Sequence, residues 1–95
     1  MRIRTHPGRI LKKNYIDNGI LTAKDLAINC GLNPTTIHRI IHEKGRITPE
    51  ISVRLGKALN KSPLFFSKMQ TQHDASKFEA THKETIEKIQ ALVTN

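Results

Sequence analysis

The sequence is poor in several residue types, and each shortage excludes a class of protein. One cysteine, Cys30, among 95 residues excludes a disulfide framework within the chain and a zinc site built from cysteines. No run approaches the roughly 20 apolar residues that a membrane-spanning helix needs, and the basic residues 1–7 are not followed by the apolar stretch of a secretory leader. We therefore expect a cytoplasmic protein with no membrane partner.

Acidic residues are also scarce, and their shortage is local. Eight Asp and Glu stand against sixteen Lys and Arg, a formal net charge of +8. Residues 1–61 hold twelve basic and four acidic residues, whereas residues 62–95 hold four of each. A basic chain favours a polyanionic partner, nucleic acid first and a membrane surface second. The membrane reading fits poorly, because the charge surrounds short helices rather than one long amphipathic helix.

Proline and glycine are few, but they divide the chain into helices. The four prolines follow His6, Asn33, Thr48 and Ser62, and three of these pairs place a capping side chain before proline at the first helical position. Apolar-periodic stretches are followed by Gly19, Gly31 and Gly45, where a residue at positive φ ends a helix. We predict an all-α fold with helices at about 7–18, 22–30, 34–44, 49–60 and 63–79.

The segment at about 22–42 has the pattern of a helix-turn-helix. Two short helices that cross steeply need a small residue at the crossing, a sharp turn, and apolar residues that lock the second helix. Ala27 supplies the first, Gly31 the second, and Ile37 and Ile40 the third. A generic helical hairpin is the alternative, but the place of this pair as the second and third of five helices favours the helix-turn-helix.

The outward face of the second helix predicts the residues that read bases. At 100° per residue, three isoleucines centre the buried stripe and polar or cationic side chains lie opposite. The predicted base-reading residues are Pro34, Thr35, His38, Arg39 and His42. Arg39 suits bidentate contact with guanine, and Thr35 can hydrogen-bond a base edge or touch a thymine methyl group. A polar helix face that binds nothing is the alternative.

Groups that flank this helix predict contacts with phosphate. Hydroxyl groups, cations and the backbone N–H groups that open a helix bind phosphate oxygens. The predicted phosphate contacts are Thr22, Lys24, Thr36, Lys44 and Arg46. Any one of these cations is as readily a solvated surface charge, but their clustering around one motif favours DNA.

Residues 81–95 form a predicted C-terminal tail beyond a DNA-binding domain at 1–80. Thr81 and Glu84 have the spacing of a capping box, and later apolar residues recur on one side, which predicts an amphipathic helix. This helix has no core of its own to cover, so its order is expected to depend on a partner. The last helix and the tail hold more apolar side chains than one small core needs. We expect them to form a homodimer or partner interface through Phe65, Phe66, Met69, Phe78, Ile86 and Ile89.

Across about residues 6–80 the sequence resembles the antidote proteins of the HigA type, which are Cro/CI-like (XRE) regulators. The resemblance rests on the helix-turn-helix and on four motifs: His6-Pro7-Gly8-Arg9-Ile10-Leu11, Lys44-Gly45-Arg46-Ile47-Thr48, Arg54-Leu55-Gly56-Lys57-Ala58-Leu59 and Ser62-Pro63-Leu64-Phe65-Phe66. It implies a five-helix, lambda-repressor-like domain that dimerises on double-stranded operator DNA, represses its own operon and neutralises a HigB-type toxin, an mRNA-cleaving ribonuclease. Two departures from the family pattern are Ala23, where glutamine is usual, and Cys30, where leucine is common. The first removes a side chain that clamps phosphate, and we interpret the second as a small core residue.

Catalysis and metal binding have little support. His38 and His42 are four residues apart, but Arg-Ile-Ile lies between them and no third ligand is nearby. His73, Asp74 and Glu79 are typical of a solvated helix face. We predict no enzyme activity, cofactor, metal or small-molecule substrate. The alternatives to an antitoxin are a general XRE repressor without a toxin and a protein-binding adaptor.

Overall fold

The computed structural model describes residues 2–94, and every regular element in that range is helical, which confirms the all-α prediction. The helices are α1 (Pro7–Leu11), which continues as a π-helical segment (Lys12–Ile16), α2 (Ala23–Cys30), α3 (Pro34–Ile41), α4 (Pro49–Leu59), α5 (Phe65–Thr81) and α6 (Lys83–Glu87). Within the described range, no helix is both long and apolar enough to span a membrane.

Side-chain caps fix where four of the helices begin. His6 Nδ1 accepts the N–H of Gly8 at 2.9 Å, Asn33 Oδ1 that of Thr35 at 2.8 Å, and Thr48 Oγ1 that of Ile51 at 3.3 Å. Each of these caps stands directly before a proline at the first helical position, where the missing N–H costs no hydrogen bond. Thr22 Oγ1 accepts the N–H of Asp25 and caps α2, although alanine rather than proline follows it.

The fourth proline pair lies just before its helix, so the predicted start at 63 is two residues early. α5 starts at Phe65, preceded by Leu64, which offers no capping side chain. The carbonyl group of Pro63 instead accepts the hydroxyl of Ser52 on α4 at 2.7 Å. Ser52 Oγ in turn accepts the N–H of Ser67 at 3.0 Å, so a buried hydroxyl on α4 anchors the start of α5.

α3 is shorter than predicted, and the residue with positive φ that follows it is not the predicted glycine. It stops at Ile41 rather than at 44, and the left-handed residue after it is Glu43, with φ of 61°. Gly45 does not have positive φ. A Cβ atom at Gly45 would lie 3.2 Å from Cβ of Arg39, so this glycine allows the loop to pass close to α3. Gly31 does have positive φ, 69°, and ends α2 as predicted.

The core lies where the described helices meet. Its buried apolar members are Leu11, Leu26, Ala27, Cys30, Ile37, Ile40, Ile41, Ile47, Leu55 and Phe66. Cys30 is thus a core residue, as predicted, and burial raises the pKa of its thiol. α1 packs on α3 so closely that a Cβ atom at Gly8 would lie 1.7 Å from the carbonyl oxygen of Ile40. Only glycine fits there.

The tail contains a C-terminal helix that is shorter than its apolar periodicity predicts. α6 has five residues and ends at Glu87, and no helix covers the described residues beyond it. Thr81 ends α5, and its hydroxyl bonds the carbonyl of Lys77 at 2.8 Å instead of forming a capping box. Ile89 is 72% exposed, Leu92 93% and Val93 74%. Among residues 2–94 nothing packs against these side chains, so a longer helix there would gain little without a partner.

Candidate nucleic-acid interface

α2 and α3 form a helix-turn-helix braced by α4. Ala27 is fully buried, and the N–H of Leu32 donates to its carbonyl oxygen at 2.9 Å across the turn. Arg54 of α4 donates from Nη1 to the carbonyl of Cys30 at 2.8 Å, which satisfies an otherwise free carbonyl at the end of α2. The turn is therefore held both by its own backbone and by a neighbouring helix.

The two faces of α3 separate as the projection predicts. Ile37, Ile40 and Ile41 are buried. The predicted base-reading residues are all exposed: Pro34, Thr35, His38, Arg39 and His42. The contact of these side chains with bases stays a prediction.

The exposed side chains of α3 are held in place rather than free. Arg39 Nη2 donates to the carbonyl oxygen of Lys44 at 2.9 Å, and the N–H of Lys44 donates to the carbonyl of Arg39 at 2.8 Å. The rings of His38 and His42 meet edge to face with centroids 4.4 Å apart. The loop after α3 thus orients the one arginine on the exposed face.

An open groove of about 380 Å³ separates the first turns of α2 and α3. It is lined by Ala23, Lys24, Pro34, Thr35 and His38, and we call it the inter-helix groove. Its surface is predominantly apolar, although the side chains around it are polar or charged.

The predicted phosphate contacts border this face on two sides. Thr22 and Lys24 are exposed at the start of α2, and Thr36 is half-buried on α3. Lys44 and Arg46 are exposed on the loop between α3 and α4. Arg46 is also engaged within the chain, because it forms an ion pair with Asp74 of α5.

A hydrogen-bond chain that the sequence did not reveal ties this loop to α5. The N–H of Ile47 donates to Oε1 of Gln70 at 2.9 Å, and Gln70 Nε2 donates to Oδ1 of Asp74 at 3.0 Å. Gln70 is only 2% exposed. Burial by itself would raise the pKa of Asp74, but hydrogen bonds from Arg46 and Gln70, with the charge of Arg46, lower it. Asp74 is therefore partly exposed, as a solvated helix face predicts, but it is also hydrogen-bonded within the chain, which the sequence did not predict.

His6 and His73 form a second contact that sequence spacing did not predict. Their rings meet edge to face at 4.9 Å between centroids, and His73 Nδ1 lies 2.7 Å from the carbonyl oxygen of Arg4. Burial, and secondarily the charge of His73, lowers the pKa of His6, while Glu43 and Asp74 act in the opposite direction. The neutral form of His6 is favoured, as its role of accepting a backbone N–H requires.

The predicted interface residues do not form one exposed set. Phe66 is fully buried inside its own chain, so its assignment to an interface was wrong: a side chain in the core cannot also meet a partner. Phe65, Phe78 and Ile89 are exposed, whereas Met69 and Ile86 are half-buried. Among residues 2–94, no three His, Cys, Asp or Glu side chains are grouped to hold a metal ion.

Comparison with known proteins places these features in context. No protein-family model matches the chain. An uncharacterized HTH-type transcriptional regulator from Haemophilus influenzae is 31% identical over 70 residues, 74% of this chain and slightly under two thirds, 65%, of that protein. The structure of antitoxin GraA in complex with its operator is 32% identical with a TM-score of 0.89, and the match covers 99% of this chain and 95% of that one. An addiction module antidote protein of a HigA family from Coxiella burnetii is 26% identical with a TM-score of 0.83, covering 100% and 99%.

Proposed function

The chain belongs to the family of helix-turn-helix antitoxins of the HigA and GraA type, and from this membership we propose that it is a sequence-specific DNA-binding antitoxin that represses its own operon. The observation that carries the proposal is the exposed face of α3. It presents cationic and hydrogen-bonding side chains on a helix whose opposite face is locked into the core.

In this proposal α3 is the recognition helix and enters the major groove with its first turn leading. Arg39 forms a bidentate contact with guanine, and Thr35 hydrogen-bonds a neighbouring base edge. Pro34, His38 and His42 complete the face that reads bases. These contacts specify the sequence, because only base edges differ between sites.

Phosphate contacts position the recognition helix on DNA. Thr22 and Lys24 lie at the exposed start of α2, Thr36 lies on α3, and Lys44 and Arg46 lie on the loop beyond α3. The +8 charge of residues 1–61 supplies the attraction that does not depend on sequence. Lys24 carries more of the phosphate contact at the start of α2 than it would beside a glutamine, because Ala23 cannot reach a phosphate.

The protein acts as a homodimer on a palindromic operator. Two-fold symmetry places the recognition helices about 34–36 Å apart on one side of the duplex. The exposed and half-buried apolar residues of α5, α6 and the tail form the proposed interface: Phe65, Met69, Phe78, Ile86 and Ile89. In this division residues 1–80 form the DNA-binding domain and residues 81–95 the tail.

The second partner is a HigB-type toxin that cleaves mRNA. The part of the chain with no net charge, residues 62–95, offers a surface for protein contact that does not compete with phosphate. The antitoxin acts by binding and is not itself an enzyme, and it works in the cytoplasm, where operon and toxin are both present.

Binding to DNA upstream of its own gene tests the first part of the proposal. The full chain should bind that fragment more tightly than a shuffled duplex of equal length, and the logarithm of the affinity should fall with log[salt] by about 0.9 per phosphate neutralised. Binding that is equal on both duplexes would contradict sequence-specific repression.

Co-expression tests the second part. A small ribonuclease encoded beside this gene should arrest growth alone and be silenced by the full chain, and the two proteins should co-purify without DNA. Continued arrest despite expression of the folded chain would leave a repressor without an antitoxin role.

A further inference from the structure

The inter-helix groove differs in chemistry from the surface around it. Ala23 and the stem of Lys24 line it from α2, and Pro34, Thr35 and His38 line it from α3. These residues give it a predominantly apolar surface in the middle of a face that is otherwise polar and basic. A partner that meets this face must therefore place something apolar there, or leave the groove unfilled.

The groove is formed before any ligand binds. Thr22 Oγ1 accepts the N–H of Asp25 at 3.0 Å and fixes the first turn of α2. Asn33 Oδ1 accepts the N–H of Thr35 at 2.8 Å and fixes the first turn of α3. The ring of His38 rests edge-on against His42. Because both helix starts are held, little ordering cost remains when a ligand enters.

The major groove of DNA presents one apolar group, the C5-methyl of thymine. The inter-helix groove lies at the first turn of the recognition helix, the part that goes deepest into the major groove. Resting on the proposed function, we infer that the groove receives the methyl group of one thymine in each operator half-site. Ala23 and Pro34 are then specificity-determining residues.

The small side chain at position 23 is what keeps the groove open. Ala23 is half-buried and packs against the core, and its side chain ends at Cβ. A longer side chain would extend into the space that the methyl group occupies. Ile28, 62% exposed on the same helix, does not line the groove and offers a matched control position.

The test removes the methyl group from DNA rather than from the protein. A duplex is first selected from random DNA with the full wild-type chain, and each of its thymines is then replaced singly by deoxyuridine. Burial of one methyl group is worth about 0.8 kcal/mol, or about fourfold in affinity. Fluorescence anisotropy should show a loss of about fourfold at one thymine in each half-site and little change at the others.

The variant Ala23→Leu should lose this dependence on the methyl group, because its apolar side chain occupies the groove and adds no phosphate contact, whereas Ile28→Leu should keep it. Thermal unfolding checks that both variants fold. If Ala23→Leu does not fold, Pro34→Ala is measured in its place and should weaken the dependence, since Pro34 is an exposed wall of the same groove.

Three results would overturn the inference. If a specific duplex is selected but no deoxyuridine substitution weakens binding, the groove holds no methyl group and the proposed function stands. If the methyl dependence persists in the folded Ala23→Leu variant, or in Pro34→Ala where that variant is the one measured, the methyl group binds elsewhere on α3. If no duplex is selected at all, sequence-specific binding itself fails, and the inference fails with it.

Discussion

Arg46 on the loop after α3 donates from both Nε and Nη2 to the same carboxylate oxygen, Oδ2, of Asp74 on α5. The pair joins a proposed phosphate contact to the helix of the proposed dimer interface. Because the carboxylate neutralises the guanidinium, Arg46 meets a phosphate at less than its full charge while the pair is intact.

The variant Asp74→Asn tests this restraint. Asparagine keeps an acceptor for Gln70 but removes the charge that holds Arg46. Such an exposed pair is worth up to about 1 kcal/mol, so affinity should rise by at most about fivefold, equally on operator and random DNA. The slope of log affinity against log[salt] should steepen by about 0.9.

The matched control for that experiment is Asp17→Asn. Asp17 pairs with Lys12, outside the proposed interface, and its loss changes the net charge by the same amount. If both variants steepen the salt slope equally, the effect belongs to net charge and the specific restraint on Arg46 is contradicted.

Arg39 and Lys44 should differ in what they contribute to binding. Arg39→Ala should cost about 1–3 kcal/mol on the operator and relax the preference at one base pair. Lys44→Ala should weaken operator and random DNA alike. Lys44→Ala leaves the position of Arg39 unchanged, because Arg39 donates to the backbone carbonyl oxygen of Lys44 and not to its side chain. Equal losses on the two DNAs for Arg39→Ala would remove it from the base-reading set.

Protonation of His6 should make stability depend on pH. The pKa of His6 is lowered from 6.5 by burial and by His73, and its neutral Nδ1 caps α1. The unfolded chain therefore binds the proton first as the pH falls. The stability that neutral His6 contributes is full above about pH 6.5 and is lost as the pH falls through its lower folded pKa.

Urea unfolding at about pH 7.5 and about pH 5.5 measures this loss. His6→Asn keeps an acceptor for the N–H of Gly8 without a titrating group, so its stability should change less between the two pH values. His42→Asn, which removes an imidazole at an exposed position away from the His6 cap, is the matched control. A loss of the same size in His6→Asn and wild type would assign the pH dependence to another group.

Phe66 and Phe78 provide a matched pair for core against surface. Phe66→Ala should lower the free energy of unfolding by about 3–5 kcal/mol, because it empties a fully buried site. Phe78 is 49% exposed, so Phe78→Ala should change stability by about 0.5 kcal/mol or less within a monomer and weaken the dimer. Sedimentation and urea unfolding separate the two effects. Dimer loss without unfolding in Phe66→Ala would restore Phe66 to the interface.

Sequence patterns predicted much of the fold, because they reflect interactions between residues that are close together in the chain. The caps at Asn33 and Thr48, the turn at Gly31 and the buried isoleucines of α3 each depend on residues within one or two turns. The errors came where distant residues decide. Ser62 does not cap α5, and the start of that helix is held instead by Ser52, eleven positions before Pro63, whose hydroxyl donates to the Pro63 carbonyl oxygen.

The candidate site shows the same division. The projection of α3 identified its exposed side chains, which depend on position along one helix. The links from Arg46 to Asp74, 28 residues apart, and from His6 to His73 arise from the packing of α1 and α5 around the loop after α3. The spacing of residues along the sequence does not reveal these two contacts. The C-terminal helix is shorter than its amphipathic pattern predicts for a related reason, since periodicity extends a helix only where something covers its apolar side.

The close approach of Gly8 to Ile40 has a mechanical consequence. With no side chain between them, α1 and α3 are in close backbone contact, so a tilt of α3, the proposed recognition helix, would displace α1 with it. In the proposed dimer we therefore expect α1 and α3 to move together. An operator with unusual half-site spacing would then require a change in how the two protomers are joined, and not bending within either one.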